Sequence, residues 1–317
     1  MRTAPALIAA AGLLLVSLTG CSAQAAADCD IAASPGAATK LVKVSGDFGS
    51  QPQVDVPSPI YTSKTERQIT IEGDGDQISA GGTASINLVL INGRTGEVIQ
   101  QSDFTAPAST LVAMSSTLPG LTKALTCATV GSRVTAVMSA KDAFGDEGNA
   151  SAGIKKDDSI VLVADVQGAF LAAANGAELP IPSGFPSVVV APNGQPGVTI
   201  PSTGAPKTTK HTLSKVGDGA TVKSGDQVIV NYTGVLWDDK SVFDSSWEKG
   251  TPLVFAADGG QMIKAFNDAV VGSTVGSQII LVVTPADGYG DQGSQTIPAG
   301  STLVFVIDVL GTQPAAQ

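Results

Sequence analysis

Histidine is almost missing from this chain. His211 is the only one in 317 residues, and it is accompanied by just three cysteines. A Ser-His-Asp triad would have to be built on His211, and no Gly-x-Ser-x-Gly elbow is present to serve it. One histidine and three scattered cysteines offer no zinc site at a workable spacing. Charge is scarce too, at 15% of residues, and its balance is acidic, with a formal net charge of -10. Nucleic acid and anionic membrane surfaces are therefore poor partners. What is plentiful is glycine (36), proline (18) and hydrophobic side chains (43%). That composition favours strands and turns over long helices, and the length suggests roughly two domains.

The chain begins Met1-Arg2 and runs into an apolar segment, Ala4 to Val16, too short to cross a bilayer comfortably. Small and polar residues follow, as in a signal peptide. Leu18-Thr19-Gly20-Cys21 resembles a bacterial lipoprotein box. The resemblance implies cleavage before Cys21, a diacylglyceryl group on its sulfur, export, and lipid anchoring to the outer face of the bacterial cell membrane. The plainer alternative is an ordinary signal peptide cut near Ala25 to Ala27. Two or more acyl chains hold a protein stably on a membrane. Residues 1–20 are thus expected to be the signal peptide and residues 21–39 a flexible tether. Outside the cytoplasm Cys29 and Cys127 can pair, or stay as two unrelated thiols.

The chain repeats itself. Gly73-Asp74-Gly75 returns 144 residues later as Gly217-Asp218-Gly219, and Asn87 returns as Asn231. Val54-Asp55-Val56-Pro57-Ser58 returns as Val198-Thr199-Ile200-Pro201-Ser202. Val130-Gly131-Ser132-Arg133-Val134 matches Val275-Gly276-Ser277-Gln278-Ile279, and Ala143-Phe144-Gly145-Asp146 matches Gly288-Tyr289-Gly290-Asp291. So long a period means two copies of one domain. The expected division is 40–175, a linker at 176–186 rich in Pro and Gly, and 187–313. A hairpin opens each copy: Val188–Val190 with Val198–Ile200 around Asn193-Gly194, and Leu41–Val44 with Val54–Val56. Gln227–Tyr232, Gln278–Val283 and Thr302–Val309 read as strands. Gly260–Val271 reads as a short helix whose apolar face is Met262, Ile263, Phe266, Ala269 and Val270. The fold class is α+β, with one helix covering a sheet face in each copy.

Of the 14 aromatic residues (nine Phe, three Tyr and two Trp), eight fall between Tyr232 and Phe305. Such clustering serves either a core or an apolar cleft. Tyr232-Thr233-Gly234, Phe243-Asp244-Ser245-Ser246, Gly288-Tyr289-Gly290 and Thr302-Leu303-Val304-Phe305, in this order around an amphipathic helix, resemble an FKBP-type peptidyl-prolyl cis-trans isomerase over about residues 210–310. The resemblance implies two tandem FKBP-like domains, each a twisted antiparallel sheet wrapped around one short helix, with substrate proline in an aromatic cleft. It implies catalytic roles for Tyr232, Phe243, Asp244, Phe266, Tyr289 and Phe305, and substrate contacts from Leu253, Phe255, Met262, Ile263, Thr296 and Ile297. Met262 departs from the family's usual β-branched residue, Phe266 from its common Trp, and Leu253 from a frequent aromatic. The loop carrying Thr296 and Ile297 is shortened. The partners implied are proline-containing segments of exported proteins and, through the same cleft, FKBP-directed macrolides.

These residue types suit the chemistry. Rotation about X–Pro breaks amide resonance, at about 18–20 kcal/mol, without making or cutting a bond. No nucleophile, metal or cofactor is required. A dry apolar pocket favours the twisted amide, which has lost conjugation and charge separation. Phe243, Phe266, Phe305 and Ile263 would wall the pocket, Tyr289 would hydrogen-bond a substrate carbonyl, and Asp244, held by Tyr232, would face the rotating carbonyl. In the first copy Leu88, Ile99 and Gln100 replace Tyr232, Phe243 and Asp244. Leu125 is aligned with Phe266 through a shared Lys-Ala pair, Phe144 with Tyr289, and either Leu162 or Val163 with Phe305. That copy is expected to keep the fold without catalysis. The rival reading is a non-catalytic binding lipoprotein. Gly288–Gly293 matches Gly-x-Gly-x-x-Gly, but Pro298 follows and no helix begins there. The sequons at Asn149 and Asn231 and the solitary His211 carry no function.

Overall fold

The computed structural model of the chain describes residues 32–105, 110–145 and 147–314. The expected signal peptide, Cys21 and Cys29 lie outside the described residues. A short hairpin, β1 (Lys43–Ser45) with β2 (Gln53–Asp55), precedes β3 (Glu66–Ile71), β4 (Thr83–Asn92), β5 (Val98–Gln101) and β6 (Thr110–Ala113). Helix α1 (Pro119–Leu125), β7 (Arg133–Met138), the single turn α2 (Ala140–Ala143) and β8 (Ile160–Phe170) complete the first unit. After β9 (Ala177–Glu178) comes a second hairpin, β10 (Ser187–Val190) with β11 (Pro196–Thr199). Then follow β12 (Lys210–Val216), β13 (Gln227–Leu236), β14 (Val242–Ser245), α3 (Ser246–Lys249), β15 (Leu253–Ala256), α4 (Lys264–Val270), β16 (Gln278–Val283) and β17 (Leu303–Gln313). The first sheet runs β3-β7-β8-β4-β5 with β6 also on β4; the second runs β14-β13-β17-β16-β12-β9 with β15 also on β13. The pairing is antiparallel throughout, so the α+β expectation agrees with mostly antiparallel sheets carrying few helices.

The central strands are buried on both faces, which is why they read as nearly continuous apolar runs. Leu88, Leu90 and Leu162 face the helix side in one cluster. Val89, Ile91 and Val161 point the other way, onto Val44 and Val54 of the hairpin. The second unit repeats the plan: Val230, Leu281 and Ile307 lie on the α4 side, while Val235, Val282 and Val304 lie under Val198 and Ile200. Alternation along each strand sorts the residues between two covers.

The repeat is reproduced down to single hydrogen bonds. Gly73 N donates to Ser132 Oγ at 3.0 Å, and Gly217 N donates to Ser277 Oγ at 3.0 Å. Thr129 and Thr274 cap the same glycine carbonyls at 2.8 and 2.6 Å. Leu88 N and Tyr232 N donate to Ser102 Oγ and Ser246 Oγ at 3.0 and 2.9 Å. Register also decides two alignments. Leu162 faces Leu90 as Phe305 faces Gly234, so Leu162, not Val163, is the counterpart of Phe305. The first turn of α1 closes from Leu121 N to Leu118 O, and that of α4 from Phe266 N to Ile263 O. Leu121, not Leu125, therefore stands where Phe266 stands. The shared Lys-Ala pair misled because it aligns the helices in the wrong register.

Several boundaries move. The helix expected from Gly260 starts only at Lys264, because Gly260 has φ +72° and cannot begin a right-handed helix. Residues 33–39, expected in the tether, belong to the first unit: Ala33 N donates to Lys123 O at 2.8 Å, and Ala38 N to the Glu66 carboxylate at 2.7 Å. The expected linker at 176–186 contributes β9, which pairs with β12. The crossing between units begins earlier. Phe170 is buried with Ile229 and Leu310, and Leu171 N donates to Leu310 O at 3.2 Å. Cys127 is in a disulfide.

Candidate active site

Three neighbouring strands present the aromatic cluster on one sheet face. β13 carries Tyr232 and Gly234, β14 carries Phe243 and Asp244, and β17 carries Phe305 opposite Gly234. A Cβ on Gly234 would lie 2.5 Å from the Phe243 ring. Glycine there allows that ring to lie across β13 and meet Phe305 edge-on, 5.5 Å between centroids. Phe266 rises from the first turn of α4 beneath them. It is 0% exposed and stands edge-to-face with Phe305 at 5.5 Å, Phe255 at 5.6 Å and Tyr232 at 6.2 Å. Edge-to-face rings fix one another's orientation and add about 0.5–1.5 kcal/mol per pair beyond burial. The open surface of the resulting cleft is lined by Tyr232, Phe243, Asp244, Met262, Ile263, Tyr289 and Phe305, with Gly260 and Gln261 at the rim.

One carboxylate stands in this apolar setting. Asp244 Oδ2 accepts from the Tyr232 hydroxyl at 2.5 Å, and Oδ1 pairs with Lys249 Nζ at 2.5 Å. Burial pushes the Asp244 carboxyl up, but the Lys249 ammonium and the Tyr232 hydroxyl outweigh it and hold the group below its ordinary value. Asp244 is thus an anion near neutral pH. Burial first, and the hydrogen bond to Asp244 next, push the Tyr232 phenol well above its ordinary range, so it remains a donor. Tyr289 differs. It is 39% exposed, lines the cleft, and its hydroxyl has no hydrogen-bond partner among the described residues. The site can bind an apolar ring, donate one hydrogen bond from Tyr289, and set a fixed negative charge beside the bound group. Among the described residues no cluster of His, Cys, Asp and Glu could hold a metal ion.

A family model described as "FKBP-type peptidyl-prolyl cis-trans isomerase" matches residues 219–310. Among curated relatives, an "FK506-binding protein" of Streptomyces anulatus is 38% identical over 96 residues, covering 30% of this chain and 77% of that protein. The chain belongs to the FKBP-type peptidyl-prolyl cis-trans isomerase family. A "Probable FKBP-type peptidyl-prolyl cis-trans isomerase" of Haemophilus influenzae is 40% identical over 116 residues, 35% of this chain and 47% of that one. "FK506-binding protein 2" of Gibberella zeae is 39% identical over 100 residues, 32% and 51% respectively. The chain spans about half the length of the curated relatives it first matches. The crystal structure of FkpA from Escherichia coli is 31% identical over 43% of this chain and 54% of that one. Its TM-score is 0.33.

Within this FKBP-type cleft the expected residues fall into two layers. Tyr232, Phe243, Asp244, Met262, Ile263, Tyr289 and Phe305 line it. Phe266, expected in the pocket wall, and Phe255, expected to touch substrate, lie beneath the lining as ring supports. Leu253, on β15, faces Val230 of β13 and packs on the core, and Ile297 is buried in the same cluster, 4% exposed. Thr296 is exposed and off the cleft wall. The site also holds Lys249, Gly260 and Gln261, which no sequence pattern marks. Lys249 reaches Asp244 from the far end of α3, five residues on, and no periodicity marks such a contact.

Proposed function

We propose that the second unit catalyses rotation about X–Pro bonds in polypeptides, and that the first unit is an FKBP-like domain without catalysis. The observation that carries this is the joint arrangement of an aromatic pocket, an ionised Asp244 held by Tyr232 and Lys249, and an unengaged Tyr289 hydroxyl. The proline ring would sit against Phe243, Phe305, Met262 and Ile263, with Tyr289 donating to a substrate carbonyl. As the amide twists, its oxygen turns within a wall that offers little solvation to the planar, charge-separated form. The barrier falls because the twisted amide needs less of that solvation. Asp244 acts electrostatically on the rotating group and forms no covalent bond. The first unit offers none of these groups: Leu88, Ile99, Gln100, Leu121, Phe144 and Leu162 occupy the corresponding places.

Export, and anchoring through a lipid on Cys21, belong to the same reading, supported by Leu18-Thr19-Gly20-Cys21. The substrates would then be proline-containing segments of proteins folding outside the cytoplasm, and FKBP-directed macrolides would compete in the cleft. Cys29 is the proposed partner of Cys127, which non-reducing peptide mapping would show directly. A proline-isomerisation assay on the full chain tests the central claim. Asp244→Leu should lower turnover at least tenfold, a change on the order of 1.4 kcal/mol in the barrier. Asp244→Leu with Phe243→Ala should leave only the uncatalysed rate. A full chain no faster than the uncatalysed reaction, or variants at the wild-type rate, would remove the assignment. Cys21→Ala should move the protein out of the membrane fraction.

A further inference from the structure

The helix that carries Lys249 is gripped by the other unit. Ser116 of the first unit donates its hydroxyl to the Gly250 carbonyl at 2.5 Å, directly after Lys249. At the other end of α3, Ser246 Oγ donates to Asn231 Oδ1 at 2.9 Å, and Asn231 Nδ2 donates to Ala172 O, in the crossing between units, at 3.3 Å. The same Ser246 Oγ accepts from Tyr232 N at 2.9 Å. Tyr232 and Lys249 are the two groups that hold Asp244. We propose that the first unit positions the second unit's cleft, its Ser116 turn clamping α3 so that Lys249 stays on Asp244.

Two features make α3 dependent on this grip. It is a single turn, Ser246–Lys249, and so short a helix has little stability of its own. Its outer side also borders a cavity between the units, walled by Ser115, Ser116, Asn231, Ser246 and Trp247, not a packed core. The buried Trp247 indole N–H has no protein partner there. Hydrogen bonds at its two ends, together with the Trp247 ring against the Asn193-Gly194 turn, therefore set where α3 sits. The repeat shows where the clamp came from. Ala113 faces Thr83 as Ala256 faces Gln227, so Ser116 stands where Gly259 stands, in the turn that leads to the cleft rim. In the second unit that turn edges a cleft, and in the first it docks onto its neighbour. A unit with no cleft to rim thus has a use for its rim. Ser116 is a positioning residue and touches no substrate.

The inference rests on the isomerase reading for its functional consequence but not for its geometry, so two readouts are needed on the full chain. Ser116→Ala should lower kcat/KM roughly two- to fivefold, the effect of one hydrogen bond, and Ser116→Thr should restore it. In a Lys249→Met background the same Ser116→Ala change should alter kcat/KM by less than about 1.5-fold, because the contact acts through Lys249. Independently of activity, NMR titration of the Asp244 carboxyl, which Lys249, Tyr232 and Tyr289 face, should show its midpoint rising in Ser116→Ala. Wild-type turnover with an unmoved Asp244 midpoint would overturn the clamp. So would a loss undiminished in the Lys249→Met background. If the wild-type chain shows no isomerase activity, the proposed function falls and the titration alone decides the clamp.

Discussion

Tyr232→Phe isolates the least redundant bond of the site. The ring keeps its edge-to-face contact with Phe266, 6.2 Å between centroids, and its tilted contact with Phe305, 6.4 Å. Only the hydroxyl is lost, and with it the 2.5 Å bond to Asp244. Hydrogen bonds to a charged group contribute about 1.5–3 kcal/mol. Asp244 retains Lys249, and its side chain is 34% exposed. Solvent screening therefore reduces the expected cost to about 1–1.5 kcal/mol. For a domain of this size that lowers the melting temperature by about 4–6 °C. The sign with pH follows from Asp244. Its folded pKa is depressed, so its contribution is present above the unfolded value and lost as pH falls through the folded pKa. The gap between wild type and Tyr232→Phe should be full at pH 7 and narrow in acid. In catalysis the loss should fall on kcat, roughly tenfold, with KM within about twofold, because the apolar cleft proposed to take proline is intact. Stopped-flow isomerisation of an X–Pro peptide, beside calorimetry at pH 7 and in acid, measures all three. A normal kcat with the full melting loss would mean that Tyr232 holds the sheet and not the charge.

Three further outcomes follow from particular bonds. Tyr289→Phe should lower kcat/KM about three- to tenfold with no change in melting temperature, since its hydroxyl has no partner to lose among the described residues; a melting shift would place it in the fold instead. Arg133→Met should destabilise the first unit by about 3–5 kcal/mol, because it leaves the fully buried Asp165 unpaired; calorimetry should show that loss in the first unit's transition. Burial raises the Asp308 carboxyl, so stability of the second unit should fall as pH rises from the unfolded carboxylate value through the folded one. Asp308→Asn should flatten that slope in denaturation at a series of pH values.

What was legible in the sequence was whatever rests on local pattern. Gln278–Val283 was bounded correctly because five apolar residues run unbroken and both faces are covered. The two Gly-Asp-Gly segments, 144 residues apart in sequence, meet their Val-Gly-Ser segments through matching serine and threonine bonds. The cleft lining was legible through the family's motifs. Three things were not. The start of α4 was overrun because Met262 and Ile263 are apolar on behalf of the cleft, although they also fit the helix face. The second-layer placement of Phe266 and Phe255 depends on packing depth, which residue type does not encode. Lys249 was missed because a long side chain returning from a one-turn helix leaves no spacing signature.

Buried carboxylates occupy matching places in the two sheets. Asp165 faces Asn87 and Arg133; Asp308 faces Asn231 and Gln278 at the same register. In both units the carboxylate ties the segment that leads into its own unit onto the sheet. Asp165 Oδ2 accepts from Gly49 N at 2.7 Å, and Asp308 Oδ2 accepts from Ala174 N at 2.9 Å. The counter-group differs because the lead-ins differ. The 46–50 turn presents its carbonyls inward, and Arg133 has enough donors to meet Gly46, Asp47 and Ser50 as well as Asp165. The crossing at 172–174 presents fewer. Ala172 O is met by Asn231 and Ala174 O by Lys215, so Gln278 suffices beside Asp308, bonded at 2.8 Å. An arginine at 278 would bring more donors than Asp308 alone receives, and a glutamine at 133, with one NH2 group, would have too few donors for the Gly46 and Ser50 carbonyls and Asp165 together. A buried unmet group costs more than the bond it could have made, so each acid is matched by the residue its own lead-in requires. The position is therefore a structural joint in both units.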